Sequence, residues 1–193
     1  MMKWRRGVDI RSIGSGNVGA MNSLDAGGTV GMAATIFFID VFKGLLAAGL
    51  GWYLFRNDFP AIGCTAIGAI AGHNFPVWLK GKGGKGLASA TGICLVIGWG
   101  MLATWGLLWA GSYGLTKDIN VSNVIALAIT PLVLVLSTFV PGGVLHMILP
   151  LDSGPAFHLA AAVMCALILV RHASTIRSMW GATDNRSART TKQ

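Results

Sequence analysis

Residues 29–55 read TVGMAATIFFIDVFKGLLAAGLGWYLF, an apolar run whose only charges are Asp40 and Lys43. A helix of that length, rising about 1.5 Å per residue, outreaches the roughly 30 Å of hydrocarbon in a bilayer. The composition says the same of the whole chain. Of its 193 residues 53% are apolar and 11% charged, with a mean hydropathy of +0.64. A soluble domain carries about 25% charged residues. No Lys or Arg occurs in the 53 residues from Asp118 to Val170, and all seven carboxylates are Asp. The fold class that follows is an all-α, polytopic integral membrane helix bundle. We read 1–193 as a single domain with a polar basic tail at 173–193.

Further stretches able to span fall at 60–79, 87–111 and 154–171. Another run, 121–150, is too long for one simple span and is interrupted by Pro131 and by Pro141-Gly142-Gly143. The basic residues cluster between these runs: Lys3, Arg5, Arg6 and Arg11; then Lys80, Lys82 and Lys85; then Arg171, Arg177, Arg186, Arg189 and Lys192. Such clusters mark cytoplasmic loops. With all three on one side, 29–55 leaves and 60–79 returns, and an even number of crossings separates Lys85 from Arg171. The spans 87–111 and 154–171 supply two. The run 121–150 is therefore expected to be a helical hairpin turning near Pro131–Pro141, for about six crossings, with one thin half re-entrant. Small residues at Gly27/Gly31, Gly44/Gly49 and Gly63/Gly68/Gly72 predict close helix packing.

Several function classes drop out. The net charge of +8 sits in loops between apolar runs, not on a soluble face with interleaved aromatics, so no nucleic-acid partner is expected. Cys64, Cys94 and Cys165 stand singly in apolar runs. No His or Cys spacing suits a metal, so neither metal nor cofactor is expected. His146 and His158 are isolated and read as structural. The basic N-terminus runs into Gly7-Val8-Asp9-Ile10-Arg11 with no apolar core, unlike a signal peptide. Neither a Gly-x-Ser-x-Gly elbow nor a His-x4-Asp pair occurs.

The loops carry the chemistry. The first, Asp9 to Asn22, contains Arg11, Gly14, Ser15, Gly16, Asn17, Gly19 and Asn22. Its glycines allow close backbone approach, and its N–H and hydroxyl donors suit an anion, although an ordinary glycine-rich turn before a helix looks the same. The second runs Gly72-His73-Asn74-Phe75-Pro76, then Lys80-Gly81-Lys82-Gly83-Gly84-Lys85-Gly86, then Ser89. Positive charge on a donor-rich backbone at a helix start favours phosphate. A basic loop that only sets topology and touches lipid head groups is the plainer reading, but topology needs no glycines. It is not a Walker A loop, because Leu87 stands where Lys is required. Asp40 and Lys43 share a helix face, either as an ion pair joining helices or as a pair orienting a phosphate ligand. The third element, Arg171-His172-Ala173-Ser174-Thr175-Ile176-Arg177, leaves the last span.

In that order and between those spans, the three loops resemble the bacterial acyl-phosphate:glycerol-3-phosphate acyltransferase family of the PlsY type. The family's Gly-Ser-Gly-Asn-x-Gly-Ala-Thr-Asn is matched from Gly14 to Asn22, with Met21 for Thr. Its Asp-x-x-Lys-Gly is met by Asp40, Lys43 and Gly44, and its second motif is met at every fixed position from Gly72 to Gly86. The resemblance covers essentially the whole chain. Departures are Asp25, where the family has Arg after the first motif, and a third motif that keeps His172 and Ile176 but has Ala173, Thr175 and Ser178. Members have seven spans, and this chain begins where the first would be ending.

The resemblance implies a multi-pass enzyme of the bacterial inner membrane with its basic loops and tail cytoplasmic. Its partners would be acyl phosphate, glycerol 3-phosphate and membrane lipid. The fatty acyl group would pass to the 1-hydroxyl of sn-glycerol 3-phosphate, giving lysophosphatidic acid and phosphate. Ser15, Lys85 and His172 are the implied catalytic residues. Arg11, Gly14, Gly16, Asn17, Asn22, Asp40, Lys43, His73, Lys82, Gly83, Gly84, Gly86, Ser89, Thr175 and Arg177 are the implied substrate-binding residues. Two alternatives stand beside this: a diverged paralogue with another acceptor or no activity, to which Asp25 and Thr175 point, and a small anion transporter.

Overall fold

In a computed structural model the described residues are 9–14, 16–56, 58–137, 139 and 154–180. A one-turn helix at Ile10–Ser12 leads into α1 (Ala20–Asp25). The stretch that opened the sequence reading is one long helix, α2 (Val30–Phe55). Thr29 starts it, its side chain accepting the Met32 N–H at 3.3 Å. α3 (Phe59–Asn74) begins at Asp58, which accepts the Ala61 N–H at 3.2 Å, with Pro60 in its first turn. It stops earlier than the expected residue 79, because Phe75 precedes Pro76 and a residue before proline is pushed out of the helical region. A short turn, Val77–Leu79, follows.

Next come α4 (Leu87–Ile97), α5 (Trp99–Thr116), α6 (Ile119–Ser137), α7 (Gly154–Val170) and α8 (Ala173–Trp180). α8 is bent 71° from α7. Two corrections follow. The run 87–111 is not one span: it breaks at Gly98, which closes α4 and opens α5. A side chain there has no room, since a Cβ would lie 2.8 Å from two ring carbons of Phe157. Conversely, α6 runs unbroken through Pro131 to Ser137. Proline is tolerated in membrane helices whose neighbours and hydroxyl groups compensate the freed backbone. Beside it Thr130 Oγ1 bonds within the helix, donating to the Ala126 carbonyl at 2.7 Å, while the carbonyl left without an N–H by Pro131 is that of Leu127. Pro141 lies outside the described residues.

A hairpin is thus formed by α4 and α5, within the run expected to be a single span. Two contacts fix the ends. Lys85 Nζ donates to Asn120 Oδ1 at 2.7 Å, which brings the starts of α4 and α6 together. Arg171, at the end of α7, donates to the carbonyls of Gly83 at 2.7 Å and Gly84 at 3.1 Å. The chain thus leaves and returns between Lys85 and Asn120, and again between Asn120 and Arg171. Among the described residues the bundle thus has six long helices, α2 to α7. Helices α2 and α6 are each long and apolar enough to cross a bilayer alone. With 11 residues, α4 rises only about 16 Å, about half of the roughly 30 Å of hydrocarbon in a bilayer.

The core is small-residue packing around a few large side chains. Ile70, Ile93, Leu134, Met164 and Ile168 are fully buried, with Ala48 and Ala66 between them. Helices α2 and α4 meet backbone to backbone: a Cβ on Gly44 would strike the Ser89 carbonyl and one on Gly92 the Val41 carbonyl. In lipid such contact replaces the hydrophobic drive that a soluble core enjoys. Gly31, Gly49, Gly68 and Gly72 have no such neighbour within 4 Å. Phe38, Phe42, Leu50, Tyr53 and Leu54 cover the outward face of α2.

Candidate active site

At the basic end of the bundle lies a cavity of about 340 Å³. Asn17, Asp25, Asp40, His73, Lys85, Asn120 and Asn123 supply its polar wall; Phe37, Leu87, Trp105, Trp109 and Ile119 supply much of the rest. The first loop reaches it through an internal clamp. Asn22, on α1, is 2% exposed, and its amide donates to the carbonyls of Ile10 (2.9 Å), Ile13 (3.0 Å) and Asn17 (2.8 Å). Gly14 and Gly16 take positive φ of 57° and 67°, so the loop folds over that amide at positions where side chains are strained. Asn22 borders the cavity, yet its donors are occupied by its own loop. Gly14 and Gly16 shape that loop and do not line the cavity. Asn17 does line it. Ser15 and the side chain of Arg11 lie outside the described residues.

The second loop is strapped down from both sides. Its Gly83 and Gly84 N–H groups donate to the carbonyls of Asn74 and His73, each at 3.1 Å. Their carbonyls accept from Arg171, whose guanidinium lies 5.7 Å from the Phe75 ring centre. A Cβ on Gly84 would strike the His73 ring. Gly83 and Gly84, expected to donate to substrate, are thus committed to holding the loop. Asn74 braces it from α3, donating to the Leu167 carbonyl at 3.0 Å. Lys82 is exposed and outside the cavity.

Lys85 is the lysine that the strap delivers into the cavity. Burial pulls its pKa below the ordinary lysine value, while the nearby carboxylates of Asp118 and Asp25 raise it and Arg171 lowers it further. Gly86, at φ 92°, starts α4 with no side-chain cap. The first turn of α4, including Leu87 and Ala88, therefore presents main-chain N–H groups at the cavity wall.

Asp40 sits opposite, 9% exposed, paired with Lys43 at 2.6 Å and 3.7 Å from His73 Nδ1. Asp40 and His73 line the cavity; Lys43 points away and is about half exposed. Ser89 is buried against α2 outside the cavity. His172 is fully buried behind the second loop, its Nδ1 3.0 Å from the Ile168 carbonyl. Thr175 and Arg177 lie on α8, away from the cavity.

Several cavity residues were not legible from the motifs. Asn123, Trp105 and Trp109 come from stretches read only as apolar spans, and Asn120 from just before one. The one available signal was Asn120 and Asn123 at three-residue spacing, on one face of a helix otherwise apolar. A second, narrow crevice continues from the cavity, lined by Ala90, Thr91, Cys94, Met101, Leu102, Leu127, Cys165 and Ile168. Leu87 and Trp105 belong to both. Among the described residues no His, Cys or Asp cluster could hold a metal.

A membrane helix bundle with a half-polar, half-apolar cavity at its basic end defines a class of enzymes that join a polar anionic substrate to a lipid chain. Comparison with known proteins makes this specific. The pattern of the family described as Glycerol-3-phosphate acyltransferase matches residues 1–182, and the chain belongs to that family of acyltransferases. A Glycerol-3-phosphate acyltransferase of Paramagnetospirillum magneticum is 38% identical over 87% of this chain and 75% of its own length. One from Thermotoga petrophila is 32% identical over 95% and 85%. One from Erythrobacter litoralis is 42% identical, over 61% of this chain and 58% of its own length. Among solved structures, PlsY (YgiH), an integral membrane glycerol 3-phosphate acyltransferase, is similar in its glycerol 3-phosphate form. Its TM-score is 0.76 at 27% identity, covering 94% of this chain and 83% of that one. Its lysophosphatidic acid form gives 0.71 at 26% identity over 87% and 78%.

Proposed function

We propose that this protein transfers a fatty acyl group from acyl phosphate to the 1-hydroxyl of sn-glycerol 3-phosphate, releasing lysophosphatidic acid and inorganic phosphate. It does so in the bacterial inner membrane with its basic loops and tail in the cytoplasm. The observation that carries the reading is the two-part cavity. Lys85 and the open first turn of α4 stand at its polar end, and an apolar crevice leads away past Leu87 and Trp105. An acyl phosphate has the same two parts, a dianionic head and an alkyl chain. Relatives described by the substrate glycerol 3-phosphate support the acceptor.

On this reading Lys85 and the N–H groups from Leu87 onward hold the donor phosphate and stabilise it as it leaves. The first loop, with Asn17 at the cavity and Asn22 as its clamp, positions the acceptor with the help of Ser15. Arg171 keeps Lys85 in place by tying down Gly83 and Gly84. Lys82, Arg177 and Arg11 attract two anionic substrates that repel each other, and Asp40 with Lys43 orients His73. Acyl phosphate is already activated, so positioning supplies most of the acceleration and the phosphate oxygens take the hydroxyl proton.

The test is product formation by the purified protein given palmitoyl phosphate and glycerol 3-phosphate, with palmitoyl-CoA as the control donor. Lysophosphatidic acid from acyl phosphate alone is the expected result. A second reading has its own observation: Asp25 lines the cavity with Lys85, where a carboxylate opposes a phosphate. If the chain uses a different acceptor, Asp25→Arg raises the rate with glycerol 3-phosphate. If it does not, the substitution leaves that rate unchanged or lower.

A further inference from the structure

Helix α6 turns one face to both parts of the cavity. Asn120 and Asn123 line the polar part, and Leu127, one turn on, lines the apolar crevice. Leu87 and Trp105 mark the same boundary from α4 and α5. Asn123 therefore stands where the polar wall gives way to the apolar one. A donor with its phosphate at Lys85 and its chain in the crevice carries its carbonyl at that level.

Two N–H donors at this boundary lack a partner among the described residues, the Asn123 amide and the Trp105 indole, and of the two the Trp105 Nε1 is fully covered. Asn123 is only 6% exposed, and no group among the described residues hydrogen-bonds its side chain. The other two cavity amides on this side are engaged: Asn120 accepts from Lys85 and Asn22 clamps the first loop. Thr130, two turns along α6, is satisfied within its own helix. The Asn123 amide atoms are not among the fully covered unpartnered groups, so at the cavity wall they remain open to a ligand.

We propose that Asn123 is a catalytic residue of acyl transfer, its Nδ2–H donating to the carbonyl oxygen of the acyl donor as negative charge develops there. This rests on the acyl-phosphate reading above. The acceptor hydroxyl oxygen forms a bond to the acyl carbon while the carbonyl π pair moves onto oxygen, where Asn123 receives it. The carbonyl then re-forms, the acyl carbon–oxygen bond to phosphate breaks, and the hydroxyl proton leaves on the phosphate. Fixed donors aimed at an oxyanion act in the transition state more than in the ground state.

The experiment compares wild type, Asn123→Ala and Asn123→Asp, all full-length and purified, for kcat, both KM values and thermal midpoint without substrate. Asn123→Ala lowers kcat about 10²- to 10³-fold, by analogy with removal of one oxyanion donor, and leaves each KM within about threefold. Asn123→Asp keeps the shape and the acceptor but loses the donor, so it is at least as impaired. The Asn123→Ala midpoint does not fall, because no hydrogen bond within the protein is lost. Wild-type kcat in Asn123→Ala overturns the inference, as does full activity in Asn123→Asp, which assigns the side chain to accepting from a hydroxyl. Loss of the folded protein in both variants makes the residue structural and also overturns it. If wild type forms no product from acyl phosphate, the underlying reading fails, and the inference falls with it.

Discussion

Acidification strikes this fold first at His172. The ring is 0% exposed, its Nδ1 lies 3.0 Å from the Ile168 carbonyl, and Nε2 has no partner among the described residues. A neutral imidazole fits: Nδ1–H donates to Ile168, and Nε2 needs nothing charged. Protonating Nε2 buries a cation beside Lys85 and Arg171, and burial above all pulls the pKa from 6.5 down to about 4. The unfolded chain therefore binds a proton through a window in which the native chain does not. Stability contributed by the neutral ring is complete above pH 6.5, falls as pH drops from 6.5, and is gone below about 4. At about 1.4 kcal/mol per pH unit the loss is about 3 kcal/mol. That corresponds to roughly 10 °C in thermal midpoint for a chain of this size. The assay is the midpoint of detergent-solubilised protein from pH 7.5 to 4, for wild type and His172→Phe. The variant gives up one hydrogen bond, about 1 kcal/mol at every pH, but has no ring to titrate. Its curve should be flatter than wild type across this window and meet it near pH 6, where the titrating ring has cost the wild type about 1 kcal/mol. Parallel curves would refute the reasoning.

The depressed Lys85 pKa predicts that activity falls at the alkaline end sooner than an ordinary lysine allows, because the ammonium binds phosphate and is lost as pH rises through its lowered pKa. Asp118 raises that pKa, so Asp118→Asn moves the alkaline limb of kcat/KM to lower pH, while Lys85→Arg, charged throughout, moves it up at a reduced maximum. Packing of α2 on α4 predicts that Gly92→Ala destabilises by about 1–3 kcal/mol through overpacking on the Val41 carbonyl. Gly68→Ala, with nothing within 4 Å of its Cβ, is neutral or gains up to about 1 kcal/mol, which unfolding of the two variants in one denaturant series checks.

How much of this was legible depended on whether a signal was local. The 29–55 run gave α2 to within one residue, because length and apolarity alone define a span. The second basic cluster and Arg171 lie at one end of the bundle, as like charge predicts for loops on one side whatever lies between. The run expected to turn between Pro131 and Pro141 passes Pro131 unbroken, while the run read as one span breaks at Gly98. A proline advertises a lost N–H, yet a helix packed in lipid can absorb that loss. Gly98 advertises nothing, since its need to be glycine comes from the Phe157 ring, 59 positions later in the chain. The motif residues divided along the same line. Lys85, Gly86, Asn17, Asp40 and His73 reach the cavity. Gly83 and Gly84 carry the motif's signature but use their N–H groups on Asn74 and His73, which only the fold could reveal. Arg171 drew notice as a charge at a span exit, whereas its work is to grip two carbonyls of a loop 87 and 88 residues earlier.

The hairpin at Gly98 is also what makes the site possible. Were 87–111 one straight helix, Trp105 would stand about 27 Å from Leu87 along its axis, on the far side of the membrane from Lys85. Instead the chain turns after 11 residues, and α5 comes back beside α4. Trp105 then packs where Leu87 begins, and Trp109 reaches the polar cavity, ring-stacked between Trp105 at 6.4 Å and Tyr113 at 5.2 Å. Because α5 continues to the basic end, α6 also starts there, and Asn120 meets Lys85. One short helix thus brings three requirements of the site to one place. Its first turn offers unpaired N–H groups to an anion, its flank with α5 forms an apolar slot, and its early end allows α6 to start beside the polar mouth. A substitution that forced α4 to continue would separate these functions without touching a motif residue.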